Sequence, residues 1–265
     1  MPPGTTRYWS WLFAAPEARE PLLGIYALMA EWRALMDPGT EVSVAQIKLV
    51  WWREEMDRMA AGSPRHPITC HLSDMPCAAG VDFSPLSRSI EAAAAQVAGV
   101  PLERGIELES HADALFGSPL VVAALLGGAR ADPSALRACV AALAAAQYLA
   151  RAIADYGAEA RAGRIPFAVD DLLAAEIEND DLVAADPPAR LRTYLNHLRQ
   201  RAAAYFSNAA AALAPDERRQ LRHLLVLATL GAKHLNDGGR RAGADFRLAD
   251  LYNAWSAARR AAAAR

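Results

Sequence analysis

Within AQYLARAIADYGAEARAGRIPF, residues 146–167, four polar side chains recur at helical spacing: Gln147, Arg151, Asp155 and Glu159. Four helical residues turn through about 400°, so the four groups form one stripe along a helix. Alanines dominate the intervening positions. Two carboxylates so stacked suit a hard divalent cation such as magnesium, which completes its shell with water and phosphate oxygens. Arg161 and Arg164 follow directly and could meet those phosphate oxygens. The same spacing equally suits a solvated face in which Arg151 pairs with Asp155 and basic residues complement the helix C-terminus.

The elements that would position this stripe are helical throughout. Apolar residues recur at helical period, strand-like alternation is absent, and helices are expected near 7–14, 17–36, 42–61, 84–98, 102–127, 132–162, 187–213, 216–236 and 247–263. Pro16, Pro85, Pro133 and Pro215 mark starts, whereas Gly127-Gly128, Gly163 and NDGG at 236–239 mark ends. Residues 63–83 read as a loop with a short helical turn, and 164–186 as an acidic excursion with one short helix. With no internal repeat and no long linker, residues 1–265 read as a single all-α domain.

The bulk numbers exclude several classes. A formal net charge of -2 gives no general attraction to nucleic acid. Three cysteines, Cys70, Cys77 and Cys139, are too few for a disulfide framework and point to a reducing, cytoplasmic setting. Cys70, His71 and Cys77 match no zinc spacing, and His197, His223 and His234 have no metal-like partners. His111 reads as a buried or capping histidine, and Trp51 and Trp52 as core or interface aromatics. The N-terminus lacks the pattern of a signal peptide, and no apolar run reaches the roughly 20 residues of a bilayer span. Nucleophile elbows, phosphate-binding glycine loops and dinucleotide fingerprints are likewise missing.

Three segments resemble the squalene/phytoene synthase family: RYWSWLFAAPEAREPLLGIYAL followed by IKLVWWREEMDRMAAG, then ALAAAQYLARAIADYGAEARAGRIPF, then RLADLYNAWSAARR. The resemblance covers nearly the whole chain and implies an isoprenoid synthase-like helical bundle around a central cavity. In such proteins two acidic motifs hold magnesium and the diphosphates of two prenyl substrates for head-to-head condensation. Carried onto this chain, the second motif is Asp155 and Glu159 as metal ligands, with Arg53, Gln147, Arg161 and Arg164 toward the diphosphate. The first motif is degenerate, because Glu31, Arg33 and Asp37 stand in AEWRALMD where an aspartate cluster is expected. Arg33 there repels a cation, and Ser110 and His111 in ESHADALF replace an expected Tyr-Cys element. In this the chain is similar to the branch typified by the mitochondrial complex I assembly factor.

Three readings follow. The chain could be a binding or assembly protein that keeps a site for an isoprenoid diphosphate, with a protein partner and peripheral membrane contact. It could be a magnesium-dependent prenyl transferase using farnesyl or geranylgeranyl diphosphate through the retained motif. Or it could be a structural protein whose cavity is plugged by Trp32, Trp51 or Phe116. Arg33 is expected to face the pocket and to replace the metal by neutralising Asp155 and Glu159.

Overall fold

The computed structural model describes residues 2–130, 132–236 and 247–263. Its secondary structure is helical, with a single isolated bridge, Leu102 to Ala168, as the only strand-like pairing among the described residues. At the centre lies α8, Pro133–Arg161. Asp132 caps its start by accepting from the Ser134 and Ala135 amides, and Gly163, at φ +75°, follows its end. Ala144, Ala145, Ala146 and Ala152 are buried along it, and α11, Ala189–Ala211, packs closely there. Leu143, Leu149 and Ile153 fill the space between the small residues. By length and composition α8 could also cross a bilayer, but most of its apolar stretch is buried in the core.

α6 (Gly105–Ala112) and α7 (Ser118–Leu126) pack on α8, and α1 (Thr6–Leu12), α2 (Pro16–Leu35), α3 (Val42–Ala60) and α5 (Pro85–Val97) join the bundle through α7 and one another. Farther along come α13 (Arg222–Asn236) and α14 (Leu248–Ala263). Most of the buried apolar side chains form one continuous cluster. A smaller cluster, with Trp9, Val226, Leu230 and Ala254, joins α1, α13 and α14.

Several elements differ from the sequence expectation. The helix expected at 102–127 begins only at Gly105, because Leu102 and Glu103 pair with Val169 and Asp170 through backbone hydrogen bonds. It is also interrupted by a wide turn at Asp113–Gly117. Pro119 lies just beyond and has no amide to donate, so the wider turn accommodates a position where a regular helix would lose a bond. In the 63–83 stretch an eight-residue helix, α4 (Pro67–Asp74), forms with the His66 ring capping it. The acidic excursion holds two short helices, α9 (Val169–Ala174) and α10 (Asn179–Val183). The helix expected at 216–236 divides at Leu221 into α12 (Pro215–Gln220) and α13. Beyond Asn236, the NDGG signal lies outside the described residues.

Candidate functional site: an arginine-sealed acidic pair

The polar stripe of α8 does form one face, and it is buried rather than solvated. Glu159 is 2% exposed. One of its oxygens lies 2.6 Å from Arg164 Nε and the other 3.3 Å from Arg151 Nη2. Arg151 Nε also stands 3.9 Å from Asp155 Oδ2. Arg164 is itself buried, and its Nη2 donates to the Met36 carbonyl at 3.4 Å, tying the end of α2 to the loop after α8. Taking a carboxylate and two guanidiniums out of water costs several kcal/mol per ion, so such a cluster persists only when each charge is matched.

Two adjoining clefts open on this cluster. One, of about 10 Å³, is lined by Gln96, Tyr148, Arg151, Asp155 and Glu159. The other, of about 20 Å³, reaches Leu102, His111 and Arg164 and shares Tyr148 and Glu159 with the first. Tyr148 donates to the Pro166 carbonyl at 3.1 Å, and the His111 ring meets it edge-on at 5.4 Å. Burial, aided by the Arg151 charge, pushes His111 down to about 4, so it is neutral at pH 7. Burial likewise pushes the Tyr148 phenol up.

Positive charge is in excess here. Arg7 lies with its guanidinium carbon 5.8 Å from the centre of the Tyr26 ring, and burial, then the neighbouring charge of Arg33, lowers it to about 10. Arg151 is lowered by burial first and then by Arg33. Its Nη1 is buried with no hydrogen-bond partner, as is the Nε2 of Gln147. Among the described residues, Arg151 and Arg164 line the clefts against Asp155 and Glu159, and Arg7 and Arg33 add positive charge from outside the lining. Orphaned donors beside guanidinium groups are the kind of group that an anion satisfies.

The remaining residues fall elsewhere. Arg33 is solvent-exposed and forms no ion pair with Asp155 or Glu159, so the expected neutralisation by Arg33 is corrected: Arg151 and Arg164 carry it out. Arg33 is still near enough for its charge to act on Arg7 and Arg151, whereas Trp32 is buried in the core. Arg53 is on the outer face of α3, 3.6 Å from Glu91 and away from both clefts. Arg161 is exposed and folds back beside Gly157, on the flank of α8 near α10. Glu31 is exposed, and Asp37 accepts from the Gly39 amide in the turn after α2. Trp52 is core, edge-on to Trp32 at 5.9 Å, while Trp51 is 39% exposed; neither they nor Phe116 line the clefts. Arg7 was not anticipated, because a lone arginine in TTRYWSW carries no local signal of a site more than a hundred residues away.

Magnesium does not fit these residues. Each oxygen of Glu159 faces a guanidinium, and the first motif supplies no carboxylate to the clefts. Among the described residues no group of three His, Cys, Asp or Glu side chains could hold a metal ion.

The sequence model described as squalene/phytoene synthase matches residues 2–259. The chain belongs to the squalene/phytoene synthase family. It is 24% identical over 229 residues to a chloroplastic phytoene synthase of an Oncidium hybrid cultivar, covering 85% of this chain and 55% of that protein. To the chloroplastic phytoene synthase 1 of Arabidopsis thaliana it is 22% identical, covering 77% and 49%. The chain thus spans about half the length of the curated relatives it matches. A dehydrosqualene synthase solved in complex with ligand superposes with a TM-score of 0.75 at 15% identity, covering 97% of this chain and 90% of that one. Squalene synthase HpnC from Alicyclobacillus acidocaldarius gives 0.69 at 21%, covering 88% of each. These two structures show that the isoprenoid synthase fold is shared.

Proposed function

We propose that this squalene/phytoene synthase-family chain is a non-condensing relative. It binds an isoprenoid diphosphate-like anion at the clefts beside Arg151 and Arg164 and acts through binding or through assembly with a partner in the cytoplasm. The observation that carries this reading is Glu159, buried between Arg151 and Arg164 in the position where the resemblance implied a metal ligand. The clefts support it too. At about 10 and 20 Å³ each has room for a water or so and none for two prenyl chains side by side.

A second reading, magnesium-dependent transfer from farnesyl or geranylgeranyl diphosphate, draws on Asp155, whose side chain is 15% exposed at the cleft. The two separate in an assay of diphosphate release from either substrate with magnesium present. The first reading expects no release above the protein-free rate. Magnesium-dependent release that disappears in Asp155→Asn would overturn it in favour of the second.

A further inference from the structure

The outer face of α14 has its own chemistry. Its inner side, Asp250, Ala254, Ala257, Ala258 and Ala261, is buried. Asp250 is held by Lys233 at 2.8 Å and by His234 at 3.1 Å, which fixes α14 on α13. Facing away are Leu248, Tyr252 and Trp255, exposed by 75, 64 and 43%. Steps of four and three residues put them on one stripe, and a further four lead to Arg259. The Tyr252 and Trp255 rings lie 6.0 Å apart, and the Arg259 guanidinium sits 5.2 Å over Trp255. The stripe runs for about 16 Å at helical rise. Exposed Arg247 stands before it, and exposed Arg259 and Arg260 close it. The one carboxylate in 248–263, Asp250, is buried on the opposite side.

We infer that the outer face of α14 is a docking surface for an anionic lipid bilayer. Tyrosine and tryptophan settle at the headgroup boundary because each joins an apolar ring to a polar atom. A helix with such a stripe and basic ends lies in the plane of the interface and binds more tightly when the lipids are anionic. Charge selects this face over the other exposed apolar stripe, on α3. There Val44, Ile47, Val50 and Trp51 are also exposed, but the charges are mixed, with Lys48 and Arg53 among Glu41, Asp57 and a Glu54 paired to Arg58, whereas the exposed charges of 247–263 are all basic. The inference does not depend on what the clefts bind, although a lipophilic ligand would be most concentrated at such a surface.

Vesicle flotation of the full chain tests this, with phosphatidylcholine alone and with phosphatidylcholine plus phosphatidylglycerol. The chain is expected to float with the anionic vesicles only and to be released by salt. Trp255→Ser with Tyr252→Ser should abolish flotation. Arg259→Gln and Arg260→Gln, fully surface changes, should each weaken it about fivefold, and Trp51→Ser should leave it unchanged, with circular dichroism unaltered throughout. Wild type that stays at the bottom with both vesicles, or arginine variants that float like wild type, would overturn the inference. So would loss on Trp51→Ser alone, or a dimer in sedimentation that Trp255→Ser splits, which would assign the face to a second copy.

Discussion

A buried carboxylate between two guanidiniums has little freedom to serve a metal. Glu159 would have to give up Arg164 at 2.6 Å and Arg151 at 3.3 Å, leaving two buried cations partly unmatched. The same crowding leaves Arg151 Nη1 with nothing to bond, so the least costly visitor is an anion. Another buried residue carries the opposite liability. His223 is 1% exposed, neither ring nitrogen has a hydrogen-bond partner, and burial, then Arg222, pushes it down to about 4 from an ordinary 6.5. In the folded state it is neutral, whereas the unfolded chain takes up a proton below pH 6.5. Its contribution is therefore full above that value and is lost as pH falls toward 4. His223→Leu should raise stability at pH 7 by about 1–2 kcal/mol and flatten the pH dependence between 6.5 and 4. Urea unfolding at a series of pH values measures both.

At the scale of elements, the stripe on α8 was readable from spacing alone, because period fixes which residues share a face. Depth was not readable. Four-residue spacing is identical for a solvated salt-bridged face and a buried one, and only the packing of neighbouring elements made this one buried. The charged run after Trp52 shows the same limit. Within it, Glu55 is fully buried and ties α3 to the segment entering α4. It accepts from the Arg65 and His66 amides at 2.8 Å, from the Thr69 hydroxyl, and from Arg58 Nε at 2.9 Å. Burial alone would push this carboxyl up, but the hydrogen bonds outweigh it and bring it from 4.5 to about 2. The stability it adds is present above pH 4.5 and disappears as pH falls through 2. Glu55→Gln should cost about 3 kcal/mol at pH 7, with the difference from wild type vanishing near pH 2, again read by urea unfolding.

For the molecule as a whole, helical period and punctuation were enough for the all-α class, and the quoted motifs were enough for the family. The departures came where tertiary contacts override local preference, as at Leu102, paired with the chain near Ala168, and at the wide turn before Pro119. The site was half legible for the same reason. Arg151, Asp155 and Glu159 lie on one helix, whereas Arg7 and Arg33 reach their neighbourhood only because α1 and α2 fold back toward α8. Under the proposed function, these positions put guanidinium charge where the resemblance implied a two-sided metal clamp.

Calorimetric titration of farnesyl diphosphate, with and without magnesium, tests it most directly, on wild type, Arg151→Gln and Asp155→Ala. Binding is expected without magnesium and should weaken with added salt. Losing one charge-assisted contact in Arg151→Gln should cost about 1.5–3 kcal/mol, roughly tenfold or more in affinity, while Asp155→Ala leaves binding intact or tightens it. Binding that requires magnesium and is abolished by Asp155→Ala would contradict it.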